Sequence, residues 1–233
     1  MSEKIRKSVL IVDDEPNMCL ILRQRFNDCL KISDCPYDFD VEDARSEAEC
    51  VERIRARRQE GERSPFDVIV LDVRMESERT GLDTAFILGL YEELGVERPV
   101  LIVFTGYPSY ADCIEAMRYG AWDYIVKEDV GDTPMAQVVI NSAVTRLRQL
   151  DQRRDLESQI AAWIPTHILE LQELYAGKLV AVWNMPELGV IASGQDAFEL
   201  EASLKEWRRE HELWEKPFVI QVPLRRTRGD KLI

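Results

Sequence analysis

Four short apolar runs in this chain each end in a side chain that can do chemistry. Ser8-Val9-Leu10-Ile11-Val12 leads into Asp13-Asp14-Glu15, and Val68-Ile69-Val70-Leu71 leads into Asp72. Pro99-Val100-Leu101-Ile102-Val103-Phe104 leads into Thr105-Gly106, and Trp122-Asp123-Tyr124-Ile125-Val126 leads into Lys127. Converging carboxylates repel one another in a cleft, and a divalent cation relieves that repulsion. With oxygen ligands alone, the expected ion is Mg²⁺. A hydroxyl donor and an ammonium around one carboxylate then complete a set suited to a phosphoryl group.

Those residues can meet only if the four runs are neighbouring strands. Runs that are apolar at consecutive positions suit strands buried on both faces, as in the middle of a parallel sheet. In an open α/β sheet the carboxyl ends of the strands line the ligand crevice, which places Asp72 at a site and not in the core. The intervening segments supply the helices. Asn17 to Phe26 carries Met18, Leu22 and Phe26 one helical turn apart, and Glu47 to Arg58 turns Val51 and Ile54 inward. Tyr37 to Val41 alternates like an edge strand. Val73 to Thr80 is a polar loop closed by Gly81, Leu82 to Leu94 is a third helix, and Pro108 to Tyr119 is a fourth, stopped by Gly120. The order βαβαβαβαβ with short turns specifies a doubly wound, five-stranded parallel sheet.

Residues 8 to 133 resemble the receiver domain of two-component response regulators. The resemblance rests on Asp13-Asp14, Asp72, Met75 with Gly81-Leu82 downstream, Thr105-Gly106, and Tyr124 three residues before Lys127, in that order. It implies a flavodoxin-like receiver in which a sensor histidine kinase or phosphotransfer protein passes a phosphoryl group to Asp72. It further implies Mg²⁺ held by Asp13, Asp14, Asp72 and the carbonyl of Arg74, with Thr105 and Lys127 as ligands of the phosphate and Tyr124 as a switch residue. Two positions depart from the family pattern. Glu128 follows Lys127 where the family has proline and a cis bond, and Glu76 follows Met75 where proline is common; a non-proline cis bond costs about 2.5–4 kcal/mol, which leaves the reach of the lysine open.

Beyond the receiver the sequence predicts a helical linker over 134–164 and a small α+β (ββαβ) domain over 165–233. Thr133-Pro134 opens the helix, which meets no glycine or proline until Pro165. Met135, Val138, Val139, Ala143, Leu147, Leu150, Leu156, Ile160 and Trp163 form its apolar stripe. The later part of that stripe has no receiver surface to cover, so a dimeric or intramolecular coiled segment, as in a homodimer or against the chain's own output domain, or a bend near Asp151 is expected. Leu179 to Trp183 and Gly189 to Ser193 read as a hairpin, Asp196-Ala197-Phe198-Glu199 as a helix start, and Pro217 to Val222 as an edge strand. Leu200, Leu204, Trp207 and His211 then follow at helical spacing.

Composition bounds the partners. The 233 residues carry a net charge of −13. Residues 1 to 133 hold 17 basic and 29 acidic side chains, which disfavours non-specific contact with nucleic acid. The helix from Ala197 to Glu212 is rich in glutamate, unlike a recognition helix for DNA. A DNA-binding transcriptional regulator therefore stands as the alternative to output by contact with an unknown downstream protein. Arg225-Arg226-Thr227-Arg228 reads as a solvated run. After residue 133 no GxSxG, metal-ligand cluster or phosphate-binding glycine loop occurs, so no separate output enzyme is expected. No apolar run approaches a membrane span, and the N-terminus Met-Ser-Glu-Lys lacks a signal-peptide pattern, so a cytoplasmic protein is expected. The five cysteines (Cys19, Cys29, Cys35, Cys50 and Cys113) form no CxxC pair, and reduced thiols are the plain expectation.

Overall fold

A computed structural model describes residues 4–29, 35–59, 64–73, 84–127, 135–184, 187–211 and 216–224. The chain divides into two compact units, Met1–Gln149 and Leu150–Ile233. The first unit opens with β1 (Ile5–Val12), α1 (Pro16–Asp28), β2 (Tyr37–Ala44), α2 (Glu47–Gln59) and β3 (Val68–Leu71). It continues with α3 (Thr84–Leu94), β4 (Val100–Thr105), α4 (Tyr110–Tyr119) and β5 (Asp123–Val126). All pairings are parallel, and the strand order is β2-β1-β3-β4-β5.

Every residue of β3 and β4 is buried, as their unbroken apolar runs require. Successive side chains alternate faces. Leu10, Val12, Ile69, Leu71 and Leu101 share a core with Ala44, Cys50, Ile54, Ile87 and Tyr91, so this face lies under α2 and α3. The fifth helix, α5 (Met135–Tyr175), gives its first turns to the same unit, where Ala136, Val139, Ile140, Ala143 and Leu147 are buried. Near its base Ser142 donates to Asp123 at 2.7 Å, and the Arg146 guanidinium lies 4.5 Å from the centre of the Trp122 ring. The compact first unit therefore extends to Gln149, beyond the expected limit at residue 133, because α5 supplies part of its packing.

The edge strand β2 runs three residues further than its alternating start predicts, to Ala44, in register with β1 along its whole length. Its carboxylates are matched by arginines from α2: Arg57 donates to Glu42 at 2.8 Å and to Asp40 at 2.7 Å, and Arg53 donates to Glu42 at 2.7 Å. Arg57 also covers the Phe66 ring at 4.7 Å. Sequence spacing gives no hint of these pairs.

In the second unit α5 continues unbroken past Asp151 and past Pro165, where the sequence predicted a possible bend and an end. A proline removes one helical hydrogen bond and costs about 3 kcal/mol in a helix interior. Here Pro165 and Ala161, whose carbonyl loses its partner, both lie on the exposed side of the helix, so water can replace the missing donor. Ile160 and Leu171 on either side are buried with Val180, Val182 and Val222, and Leu156 and Trp163 pack against the same cluster. Leu156, Ile160 and Trp163, for which a dimeric or intramolecular partner was expected, are thus covered within their own unit.

The rest of this unit is β6 (Leu179–Asn184), β7 (Leu188–Gly194), α6 (Ala197–His211) and β8 (Phe218–Gln221). The sheet order is β7-β6-β8, antiparallel throughout, and the pairing of β6 with β7 shifts by one residue at Ile191. The central strand β6 is covered on both faces: Val180 and Val182 meet α5, while Ala181 meets Leu200 and Leu204 of α6. The predicted helix start forms a capping box. Asp196 accepts from the backbone of Phe198 and Glu199 at 2.9 Å, and Glu199 reaches back to Gln195 at 2.9 Å. At Gly194 an added Cβ would stand 2.3 Å from the backbone nitrogen of Leu200, so β7 and α6 approach more closely than any other residue permits. Trp183 is buried and Trp163 and Trp207 are half-buried, in line with the expected small core. Met185-Pro186, Trp214 and the Arg225–Arg228 run lie outside the described residues, as do Thr133-Pro134.

Two outcomes check this account. Gly194→Ala is expected to cost about 1–3 kcal/mol through overpacking, and Pro165→Ala to gain up to about 3 kcal/mol. Denaturant midpoints followed by tryptophan fluorescence should move in opposite directions. For the β2 edge, the hydrogen bond from Arg57 holds the Asp40 carboxyl below its ordinary value. A carboxyl depressed in the folded state stabilises above its unfolded pKa and loses that contribution as pH falls through the folded value. Arg57→Gln should therefore lower stability by about 1 kcal/mol at neutral pH, after allowance for solvent screening. The gap from wild type should close in urea titrations repeated below the ordinary aspartate range.

Candidate functional site

The strand order reverses between β1 and β3, and ligands bind at such a switch point. Each of three polar residues there follows directly on a strand, and its backbone is fixed by one further bond to a neighbouring strand. Asp13 N–H donates to the carbonyl of Ala44 at 3.1 Å, Asp72 N–H to that of Val12 at 2.8 Å, and Lys127 N–H to that of Thr105 at 2.9 Å. The ladder thus runs one residue beyond the apolar stretch and sets the first polar side chain at the rim.

The side chains meet. Lys127 Nζ donates to Asp13 Oδ2 and to Asp72 Oδ2, both at 2.8 Å, and all three side chains are nearly buried, at 12%, 3% and 5% exposure. The second oxygen of Asp13 accepts from Glu15 N–H at 2.9 Å. Burial holds the Asp13 carboxyl above its ordinary value, against the opposing pull of Lys127. Burial also works to lower the Lys127 pKa, but its hydrogen bonds to the two aspartates prevail and keep the ammonium above its ordinary range.

A cleft of about 660 Å³ opens over this group. It is lined by Asp13, Asp14, Glu15, Pro16, Met18, Asp72, Gly106, Tyr107, Lys127 and Met135. Sequence reasoning did not single out Met135 as a site residue, and only the start of α5 brings it there. Thr105 does not line the cleft. It is fully buried at the end of β4, where its hydroxyl accepts from Tyr107 N–H at 3.2 Å. Tyr124 packs with Val103, Ala116 and Ala121, and its hydroxyl accepts from Ser109 N–H at 3.4 Å, at the cap of α4. Thr105 and Tyr124 are therefore tied to the two ends of one short loop, residues 106 to 109.

The donor set suits a hard divalent cation in part. Among the described residues no three His, Cys, Asp or Glu side chains converge closely enough to hold a metal by themselves. Two carboxylates do converge, Asp13 and Asp72, on the wall of a cleft where Asp14 is also present. Mg²⁺ commonly takes one or two carboxylates and keeps several waters, which this arrangement fits. The fourth expected ligand, the carbonyl of Arg74, lies outside the described residues, as do Met75, Glu76, Gly81-Leu82 and the bond from Lys127 to Glu128.

A parallel sheet of this order, with buried aspartates and a lysine at its switch point, defines a flavodoxin-like domain carrying an acidic site. The chain belongs to the response regulator family: the response regulator receiver domain model matches residues 9–136, more than half of it. It is similar to the transcriptional regulatory protein ZraR of Escherichia coli O157:H7, with 32% identity over 119 residues, 51% of this chain and 22% of that protein. It is also similar to the regulatory protein LuxO of Vibrio cholerae serotype O1, with 28% identity over 124 residues, 53% of this chain and 24% of that protein. The matched part is thus about a quarter of the length of these relatives. Among solved structures, a CheY-like receiver domain protein of Methanospirillum hungatei JF-1 aligns with 63% of this chain and 98% of its own, at 20% identity and a TM-score of 0.44. No helix among the described residues is long and apolar enough to cross a membrane.

Removing the shared cation would leave two carboxylates facing each other in a poorly solvated setting. Lys127→Met is expected to cost about 3 kcal/mol at neutral pH. Urea denaturation of the two proteins measures the loss, and equal midpoints would show that the ammonium does not hold the site together.

Proposed function

We propose that this chain is the phosphoacceptor of a two-component relay, with Asp72 taking a phosphoryl group from the phosphohistidine of a sensor kinase or phosphotransfer protein. The observation that carries the reading is the single ammonium of Lys127 held between Asp13 and Asp72. In the transfer an Asp72 oxygen attacks phosphorus in line, the phosphorus–nitrogen bond of the donor breaks, and an acyl phosphate forms. Asp13, Asp14 and Asp72 would hold Mg²⁺, which would supply positive charge to the transferring group. Lys127 already sits on the nucleophile and can follow the charge onto the new phosphate. The buried Thr105 hydroxyl can donate to a phosphate oxygen while its own oxygen keeps the Tyr107 N–H.

Movement of Thr105 toward the phosphate would pull residues 106 to 109 and with them the Ser109 N–H that Tyr124 accepts. That gives Tyr124 the part of a switch, since its ring packs beneath α4. The output unit then acts through contacts with another protein. Helix α6 presents Glu199, Glu201, Glu206 and Glu210, a poor match for a phosphate backbone. ZraR is a transcriptional regulatory protein and LuxO a regulatory protein, and binding to DNA is the competing output.

Intact-protein mass after treatment with acetyl phosphate and Mg²⁺ tests the assignment. Wild type should gain one phosphoryl group and Asp72→Asn none. Thr105→Ala should take up phosphate at least about 10-fold more slowly, the loss expected from one donor to a developing charge. Equal uptake by wild type and Asp72→Asn would overturn the reading.

A further inference from the structure

The sulfur atoms of Cys29 and Cys35 lie 2.7 Å apart. Both residues are buried, at 3% and 5% exposure. The distance is well inside the ordinary contact of two unbonded sulfurs, and a disulfide, at about 2.05 Å, needs a shift of well under an ångström. Each partner adjoins regular structure. Cys29 is the C-cap of α1, with its N–H turned onto the carbonyls of the last helical turn. Cys35 precedes Pro36, whose carbonyl accepts from Ile5 N–H at 2.9 Å, and its sulfur rests 3.8 Å from the carbonyl of Tyr37. The other thiols are placed differently. Cys19 points at the carbonyl of Asp13 at 3.3 Å, Cys50 lies within the core under α2, and Cys113 is half-buried on α4.

We propose that Cys29 and Cys35 form an oxidation site, at which a hydroperoxide produces a reversible disulfide that clamps the C-terminal end of α1 to the N-terminal end of β2. One thiol sulfur attacks a peroxide oxygen as its proton departs, and the oxygen–oxygen bond breaks to release an alcohol or water. The resulting sulfenic sulfur is attacked by the second thiol, the sulfur–sulfur bond forms, and the hydroxyl leaves as water. Two electrons pass from the sulfurs to the peroxide, and both thiol hydrogens end in the released products.

The surroundings set the character of this reaction. Burial and the neighbouring Cys35 push the Cys29 thiol up to about 12, while the charges of Lys4 and Arg148 act the other way. Little thiolate is present at neutral pH, so oxidation is slow. Once the first sulfur is oxidised, however, the second is already in contact, and closure outruns further oxidation. The clamp joins the two elements that bury Phe26 against Phe39, whose ring centres are 5.1 Å apart. Its effect is therefore expected along the β2 edge.

The full-length protein is treated with hydrogen peroxide, its remaining thiols are alkylated in denaturant, and its peptides are mapped. The expected product is one cross-linked species, Cys29 joined to Cys35 and lighter by two hydrogens, with Cys19, Cys50 and Cys113 alkylated. Dithiothreitol should restore the original mass. Amide exchange at the start of β2 should slow at least several-fold in the oxidised form. Recovery of Cys29 and Cys35 as separate alkylated or sulfinic residues would overturn the proposal, and so would unchanged exchange in the oxidised protein. Cys35→Ser should lose the cross-link, and a variant that still sheds two hydrogens would assign the bond elsewhere. The mapping of the wild type decides the matter even where the variant does not fold.

Discussion

Two carboxylates that cannot both be charged and buried unaided share one ammonium at the open end of the larger sheet. Much of the first unit follows from that requirement. For Lys127 to stand between Asp13 and Asp72, the strand that delivers it must be two places from the strand of Asp72, with β4 between. The strand of Asp13 must be next to that of Asp72 on the other side. The parallel order supplies this, and the bonds from Asp13, Asp72 and Lys127 to neighbouring carbonyls fix the last increment of position. A site assembled in this way is rigid at the backbone and labile in its charges. The Lys127 ammonium is held by its two ion pairs and lies 5.6 Å from the centre of the Phe104 ring, contacts that can rearrange without breaking the sheet.

The second unit solves a different problem with less material. A three-stranded sheet has too little surface to form a core by itself. Here α5 covers one face of β6 and α6 covers the other. The close approach at Gly194 brings α6 down onto the sheet, and the capping box fixes where that helix starts. Pro165 is tolerated because the helix is anchored on both sides of it by buried side chains, so local preference yields to packing.

The legible and illegible parts of the sequence divide along the same physical line. The unbroken apolar runs of β3 and β4, and the polar residue that ends each, were readable because burial on both faces leaves no polar position in between. The start of α6 was readable because capping chemistry is local. The end of α5 was not: at Pro165 the local signal points to a stop, and the decision rests with Ile160 and Leu171, whose partners lie in strands distant in sequence. The part played by Met135 and the tie from Tyr124 to Ser109 were hidden for the same reason, since each depends on where two separate elements come to rest. The arginines of α2 and the acids of β2 were visible as charges, but their pairing was set only by the packing of that helix beside the edge strand.

The middle of α5 carries a further consequence. From Arg148 to Gln159 no residue is fully buried; Leu156 and Arg153 touch the edge of the second core, and otherwise the helix there is held by its own backbone and by surface pairs such as Arg153 with Glu157 and Arg154 with Asp151. Such pairs contribute little and are screened by salt. A stretch of helix with no fully buried side chain opens at lower cost than a packed core. A protease is therefore expected to cut this helix N-terminal to Leu156 before it attacks either packed unit.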